Sequence, residues 1–517
     1  MWAPLAVVAF IFLVRLPGVV QPLGPDQGVY ATIGWAMGRG FALYRDLFEL
    51  KPPGLYLTYW LTFAALGAKS SVIFWMDYAA AAVTTLVLFD LCRRLVSARF
   101  GALVAAVFAI GTLPAARYAY GGFLERAINE TFISLLVTAA AWATVVAITR
   151  WQDRWSLLAG VFAGMAVVFK PMAGVYWLAL VAFVCLQAGR LRTQRFFWYS
   201  AAGAALAPTI AIAWMWATGI LPDAWLDLAV YNRAYLSIGD PSILKLVNQL
   251  AHEVWRRIKT DEIWALGALG ALLALAAWRT RRAGAAPAWL AVFWLGASLL
   301  SVVLNGPRMF QTYFMPALVP LCLLAAWLFD RAFAPRRWRL VTAPLAIGIT
   351  ALMLARSGSV QRAIDVTGAD LRQWAGRSDR QEYLRQFQSH ATQAFSAADS
   401  ERLAAYLRAH TRPDERIFIF GMTASAYFLS ERLPASKFLF AYPATSNMSG
   451  RPEFRVETLA HDLARTAPRY IVLQRHNGDS YSGWRADEAF ARPAMVDLLQ
   501  SYQQETDIGD YALYRRN

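Results

Sequence analysis

Only 16% of the 517 residues are charged and 58% are hydrophobic, against roughly 25% charged in soluble proteins; an ordinary soluble enzyme is excluded. The net charge of +16 does not argue for nucleic acid, because the arginines gather in short clusters between apolar runs, as the enrichment of basic residues in cytoplasmic loops requires. Cys92, Cys185 and Cys322 lie inside apolar runs with no Cys or His at ligand spacing, which excludes a disulfide framework and a thiolate metal site.

A membrane helix needs about 20 mostly apolar residues. The first such run is Trp2–Val20, which lacks a basic leader and a small-residue cleavage site and is read as a retained span. Val72–Leu91, Gly101–Leu113, Ala127–Thr149, Trp155–Phe169 and Met172–Ala188 follow, then Phe196–Thr218, Glu262–Trp278, Pro287–Leu304, Tyr313–Phe329 and Leu340–Leu354. The fold class expected is a polytopic α-helical membrane protein of eleven spans. Leu55–Leu66 is too short to cross and is expected, with Tyr30–Gly38, along the outer interface.

The arginine clusters at 93–99, 150–154, 190–195, 279–282 and 331–339 fall on alternate loops. That pattern predicts a cytoplasmic N-terminus, with loops 21–71, 114–126 and 219–261 on the outer side. Residues 1–356 form the expected transmembrane domain. Residues 357–517 are more polar, and helix-like stretches (Ser400–His410, Ala424–Ser430, Val456–Arg465, Pro493–Gln503) alternate with strand-like ones (Arg416–Phe420, Tyr470–Leu473, Tyr511–Arg515). This predicts a soluble, extracytoplasmic α/β domain. No glycine fingerprint follows a strand, so nucleotide binding is not expected.

The chemistry collects in the outer loops. Asp26 and Tyr30 are four residues apart and share a face if helical; Asp26 suits a general base toward a hydroxyl, or a helix N-cap. Lys51 precedes Pro52-Pro53, which hold it extended at the membrane boundary. A rigid cation there suits a phosphate, or snorkels to lipid head groups. Glu125 and Glu130 flank the start of a span, where acids either offset the helix dipole or face the same cavity as Asp26. Lys170, Arg308 and Tyr313 lie in further outer loops at the same level, so three cations, Lys51, Lys170 and Arg308, converge on one anionic lipid-linked group or serve as separate anchors. The loop 219–261, with Trp225, Tyr231, Asn232 and Tyr235, suits sugar recognition or an interfacial helix.

Asp26-x-x-x-Tyr30 after the first span, Lys51-Pro52-Pro53, Asn129-Glu130 opening a later span, Lys170 closing a glycine-rich one, and Arg308 with Tyr313 before Pro316 together resemble the GT-C-type integral-membrane glycosyltransferases. The likeness is to the family 39 branch of protein O-mannosyltransferases and lipid A aminoarabinose transferases. It implies a sugar donor linked to a polyprenyl phosphate and a lipid, glycan or protein acceptor outside the cytoplasmic membrane, with lipopolysaccharide among the candidate acceptors. Asp26 corresponds to the acidic residue of the first loop, and Lys51 and Arg308 to donor-phosphate contacts. Two departures stand out. Gln27 replaces a second acid, and Leu50 separates Glu49 from Lys51, which argues against a borrowed metal site and against aminoarabinose. No metal or other cofactor is expected. The competing expectation is a polyprenyl-linked sugar or lipid transporter or assembly protein, which would carry charges within its spans; these spans are nearly charge-free.

Overall fold

The computed structural model describes residues 2–113, 125–237, 242–279, 286–333, 359–389, 395–440, 449–475 and 490–517, with isolated positions between 344 and 356 and at 444. The expected span Leu340–Leu354 and most of loop 114–126 lie outside the described residues.

Helix α1 (Trp2–Arg15) runs into a 3-10 turn, Leu16–Val20. Then come α2 (Pro25–Met37), α3 (Gly54–Leu66), α4 (Ser70–Leu95), α5 (Ala98–Gly111), α6 (Asn129–Arg150), α7 (Asp153–Phe169), α8 (Gly174–Gln187) and α9 (Arg190–Ala217). The short α10 (Leu221–Trp225) and α11 (Asn232–Leu236) precede α12 (Ile243–Thr260), α13 (Glu262–Arg279), α14 (Ala286–Leu304) and α15 (Leu318–Phe333). Among the described residues α4, α6, α9 and the stretch Gln311–Arg331 are long and apolar enough to cross a membrane, and α3, Phe100–Gly111, Pro171–Gln187 and Ala288–Leu304 are shorter apolar helices. The chain is a multi-pass helical bundle.

Helix α12 meets α13 at a bend of 113°. It exposes Ile243, Leu244, Val247 and Trp255 while carrying Lys245, Arg256 and Lys259, the pattern of a helix lying in the interface plane. The tightest crossing in the bundle is α7 on α9. A Cβ on Gly160 would stand 1.9 Å from the Ser200 carbonyl oxygen, and one on Gly203 2.2 Å from that of Leu157. Small residues let two membrane helices meet backbone to backbone where the hydrophobic effect offers no drive.

After α15 the chain forms Ser359–Trp374, which packs on the 3-10 turn behind α1. The strands β1 (Gln388–Ser389) and β2 (Phe395–Ser396) pair antiparallel. A four-stranded sheet follows, with β3 (Ile417–Phe420) parallel to β4 (Tyr470–Gln474), then β6 (Tyr511–Arg516) and edge strand β5 (Tyr502–Ile508), both antiparallel, in the order β3-β4-β6-β5. Helices Ala397–His410, Ser425–Ser430, Val456–Thr466 and Pro493–Leu499 accompany it. The expected helix Pro493–Gln503 stops at Leu499, and Tyr502 opens β5. Of that strand only Tyr502 is fully buried, so an edge strand with a polar outer face left no apolar alternation to read.

Helix α2 does not lie on lipid as its outer position suggested. It is buried along nearly its whole length, because the C-terminal residues cover it. A Cβ on Gly28 would meet the Ser425 backbone nitrogen at 2.6 Å, Thr32 Oγ1 donates to the Ala424 carbonyl at 2.8 Å, and Trp35 meets Phe428 edge to face. On its other side Gly34 admits Tyr59 of α3.

Candidate active site

The site is built on the first turn of α2. Gly24 is its N-cap, in extended conformation, and Pro25 occupies the first helical position, where a missing N–H costs nothing. Asp26 is therefore the second residue of the helix and not its cap. The orphan N–H groups of this turn go elsewhere: Asp26 N and Gln27 N both donate to Glu125 Oε1, at 2.9 and 3.2 Å. Gln27 Oε1 accepts from Gly24 N at 2.9 Å and its amide donates to the Arg126 carbonyl at 2.7 Å. Glu125, 99 residues away in sequence, thus caps the helix that carries Asp26. Gly24 has to be glycine here, since a Cβ would fall 2.3 Å from Glu125 Oε1.

With its backbone held, Asp26 accepts a 2.9 Å hydrogen bond from Tyr30 Oη on Oδ2. The Tyr30 ring is buried, edge-on to Tyr56 and Tyr59 of α3. Asp26 itself is exposed, while Glu49, Glu125 and Glu130 are buried. Lys51 Nζ stands 4.8 Å above the Tyr30 ring and 3.9 Å from Glu49 Oε1, and Tyr44 Oη donates to the Lys51 carbonyl at 3.0 Å. Burial alone would lower the Lys51 pKa; the charges of Glu49, Asp26, Glu130 and Glu125 outweigh it and leave it raised. Burial, then the charge of Asp26, push the Glu125 carboxyl well above the usual range, against the pull of the two N–H groups it caps.

Lys170 follows the last residue of α7 and pairs with Glu130, in the first turn of α6, at 2.8 Å. Its Nζ also sits 3.7 Å from the centre of the Tyr313 ring. The charges of Glu130, Asp26, Arg308 and Glu49 all reach the Tyr313 hydroxyl, so these groups line one region. Arg308 is buried and stacks its guanidinium on Tyr235 at 3.7 Å. Neither of its terminal nitrogens has a hydrogen-bond partner among the described residues. The residues singled out in sequence, Asp26, Tyr30, Lys51, Glu125, Glu130, Lys170, Arg308 and Tyr313, are brought together. They divide by partner: Glu125 is committed to a helix cap, Lys51 and Lys170 are neutralised by carboxylates, and Arg308 has no counter-charge among the described residues.

Sequence reasoning missed several supports. Arg257 of α12 donates to Gln311 Oε1 at 2.7 Å and to Glu253 Oε2 at 2.5 Å, and lies over Phe314 at 3.5 Å. It fastens the interfacial helix to the segment after Arg308; its spacing of four from Glu253 was the available signal. Asp227 accepts from Glu49 N at 3.4 Å and is buried between the Lys51 loop and the C-terminal residues, where Phe48 N also donates to the Lys437 carbonyl at 2.9 Å. Arg15 and Asp77, in two spans read as nearly charge-free, lie 3.7 Å apart. Among the described residues no three His, Cys, Asp or Glu side chains converge as a metal-ligand set.

Residues 50–216 match the family model described as dolichyl-phosphate-mannose-protein mannosyltransferase. Among solved structures, ArnT from Cupriavidus metallidurans bound to undecaprenyl phosphate superposes with a TM-score of 0.59 at 13% identity, over 99% of this chain and 97% of that one. Its apo state gives 0.60 at 14% identity with the same coverage. The archaeal oligosaccharyltransferase AglB from Archaeoglobus fulgidus, in complex with an inhibitory peptide and a dolichol-phosphate, gives 0.52 at 12%, over 99% of this chain and 74% of that one. No curated protein sequence matches the chain. At these identities the likeness is one of architecture, and the chain carries the fold of the GT-C-type membrane glycosyltransferases.

Proposed function

We propose that the protein is a glycosyltransferase that moves a sugar from a polyprenyl-phosphate donor to an envelope acceptor on the outer face of the cytoplasmic membrane. The observation that carries the reading is the pairing of an exposed, Tyr30-held Asp26 with a buried Arg308 guanidinium whose terminal nitrogens have no hydrogen-bond partner among the described residues. An uncompensated buried cation is costly, and an anionic substrate group would relieve it. The fold likeness to structures holding undecaprenyl phosphate and dolichol-phosphate supports the same donor class. In this reading the chain crosses the membrane eleven times, the N-terminus is cytoplasmic, and residues 357–517 form an extracytoplasmic, periplasmic domain over the site.

The reaction is a single displacement. The acceptor hydroxyl oxygen attacks the anomeric carbon, Asp26 takes its proton, and the bond from that carbon to the phosphate oxygen breaks. The electron pair leaves on the polyprenyl phosphate. Arg308, with Lys51 and Lys170, stabilises the charge that develops there. Tyr30 orients the Asp26 carboxylate, and Glu125 fixes the turn that carries it. Glu49 holds Lys51 near the donor phosphate.

The test is to incubate purified protein with a labelled polyprenyl-phosphate sugar, with and without an envelope glycolipid or glycan acceptor. Label on the acceptor together with free polyprenyl phosphate is the expected result. Movement of intact donor across proteoliposome membranes without bond cleavage would replace the transferase by a transporter.

A further inference from the structure

The bundle carries a charged cavity away from the candidate active site. Helix α6 begins at Asn129 and Glu130 in the candidate active site and ends at Arg150 after 22 residues, a rise of about 33 Å. The hydrocarbon core is about 30 Å thick, so the Arg150 end reaches the opposite membrane surface. Here the α6–α7 and α8–α9 turns stand side by side because α7 and α9 are locked backbone to backbone at Gly160 and Gly203. Between them lies a cavity of about 100 Å³, lined by Trp151, Gln152, Asp153, Ser156, Arg192 and Arg195 among others.

Its side chains are arranged, not scattered. Trp151 takes the left-handed conformation, φ 51°, which is uncommon for a bulky residue, and its ring lies under the Arg192 guanidinium at 4.2 Å. Arg195 pairs with Asp153. Gln152 Oε1 accepts from Arg154 and Trp155, and Arg150 faces the Trp155 ring at 5.9 Å. The two turns supply Arg150, Arg154, Arg190, Arg192 and Arg195 against Asp153, the single acid between residues 147 and 200. Arg150, Arg190 and Arg192 have no carboxylate partner among the described residues. Buried Phe196 and exposed Tyr199, one turn apart, continue an apolar wall down α9.

We infer that this cavity binds the head group of an anionic phospholipid in the leaflet opposite the active site. The phosphodiester sits against Arg192 with Arg195 beside it, and the acyl chains follow the aromatic wall of α9. Basic cavities between membrane helices recognise anionic head groups by this combination of charge and apolar stem. A free phosphate would share the head-group chemistry but leave the apolar wall unused.

The experiment compares full-length protein in detergent, alone and with phosphatidylglycerol, phosphatidylcholine or inorganic phosphate, reading the melting temperature and lipid adducts by native mass spectrometry. Phosphatidylglycerol is expected to raise the melting temperature by several degrees and to form a one-lipid adduct. Phosphatidylcholine and phosphate should do neither, and Arg192→Gln, at an exposed position, should lose at least half of the shift and most of the adduct. Equal shifts from both lipids overturn the charge argument. An equal shift from inorganic phosphate overturns the lipid. A full shift in both Arg192→Gln and Arg195→Gln overturns the site. Lipid selectivity of the unaltered protein decides the matter if a variant fails to express.

Discussion

Helices α6 and α7 carry charge at both ends, and the two ends solve different problems. At one end Glu130 meets Lys170 inside the protein, beside Tyr313 and an Arg308 with no acidic partner among the described residues. At the other, Arg150, Arg154 and Arg192 are exposed and lie against tryptophans. Burial separates the cases. Exposed arginines keep their hydration and contribute little to stability, so they are free to sort lipid or orientation. Buried charges must be neutralised or be waiting for a ligand. A run of basic residues in sequence does not distinguish the two; the partner each charge finds does.

The largest effect that would break this contrast is on catalysis. Asp26→Asn keeps an acceptor for Tyr30 but cannot take a proton, so transfer should fall by roughly 10² to 10⁴ with the melting temperature unchanged. Near-normal turnover would remove Asp26 from the chemistry. At the other end Arg192→Gln should leave turnover in detergent intact. The next test separates paired from unpaired cations. Lys170→Met strands Glu130 and should destabilise by about 3–5 kcal/mol, which Lys170→Met combined with Glu130→Gln should largely restore. Arg308→Gln strands no acid among the described residues, so stability should hold or rise while transfer falls by about 10²–10³, as for loss of one charge-stabilising donor. Equal destabilisation by both single variants would mean that Arg308 has a structural partner after all.

Much of this was readable before the fold was known, and the reasons are local. Asp26 and Tyr30 are one helical turn apart, and Lys51, Glu130 and Lys170 stand out because they interrupt apolar sequence. What was hidden is long-range. Nothing near Glu125 says that it will cap a helix 99 residues earlier, and a first-turn acid in its own span was the simpler reading. Arg15 and Asp77 each look like an isolated interruption until the spans pack and the two meet. The burial of α2 depends on Ser425 and Phe428, nearly 400 residues downstream, and its own apolar face fits lipid equally well. Strand β5 hides because Gln503, Gln504 and Glu505 face solvent on a sheet edge.

The Glu125 cap sharpens the comparison on a smaller scale, since it is a buried acid whose work is done by its oxygen and not by its charge. Its pKa is pushed up by burial and by Asp26, yet a neutral carboxyl or an amide can still accept from Asp26 N and Gln27 N. Glu125→Ala should therefore cost about 1–2 kcal/mol, as loss of a cap does, and should lower turnover through a displaced Asp26. Glu125→Gln should recover most of both. If Gln behaves like Ala, the charge of Glu125 matters, and the residue belongs with substrate binding.

The smallest expected effect tests the seam between the Lys51 loop and the C-terminal residues. Burial, only partly offset by Lys437 and by the Glu49 N–H, raises the Asp227 carboxyl to about 8, above its ordinary value of about 3.9. The folded protein then holds this proton more tightly than the unfolded chain does. The stability it lends is full below about pH 4 and is lost as pH rises through about 8. Because the seam can open locally, the loss is capped by the cost of that opening and not by the whole fold. The melting temperature should drift down by roughly a few degrees between pH 6 and pH 9, with increasing proteolysis near residue 227. Asp227→Asn, which cannot ionise, should flatten both profiles. A slope unchanged in Asp227→Asn would assign the titration to another group and leave the seam held by the aromatic contacts of Phe48 with Tyr231 and Phe454.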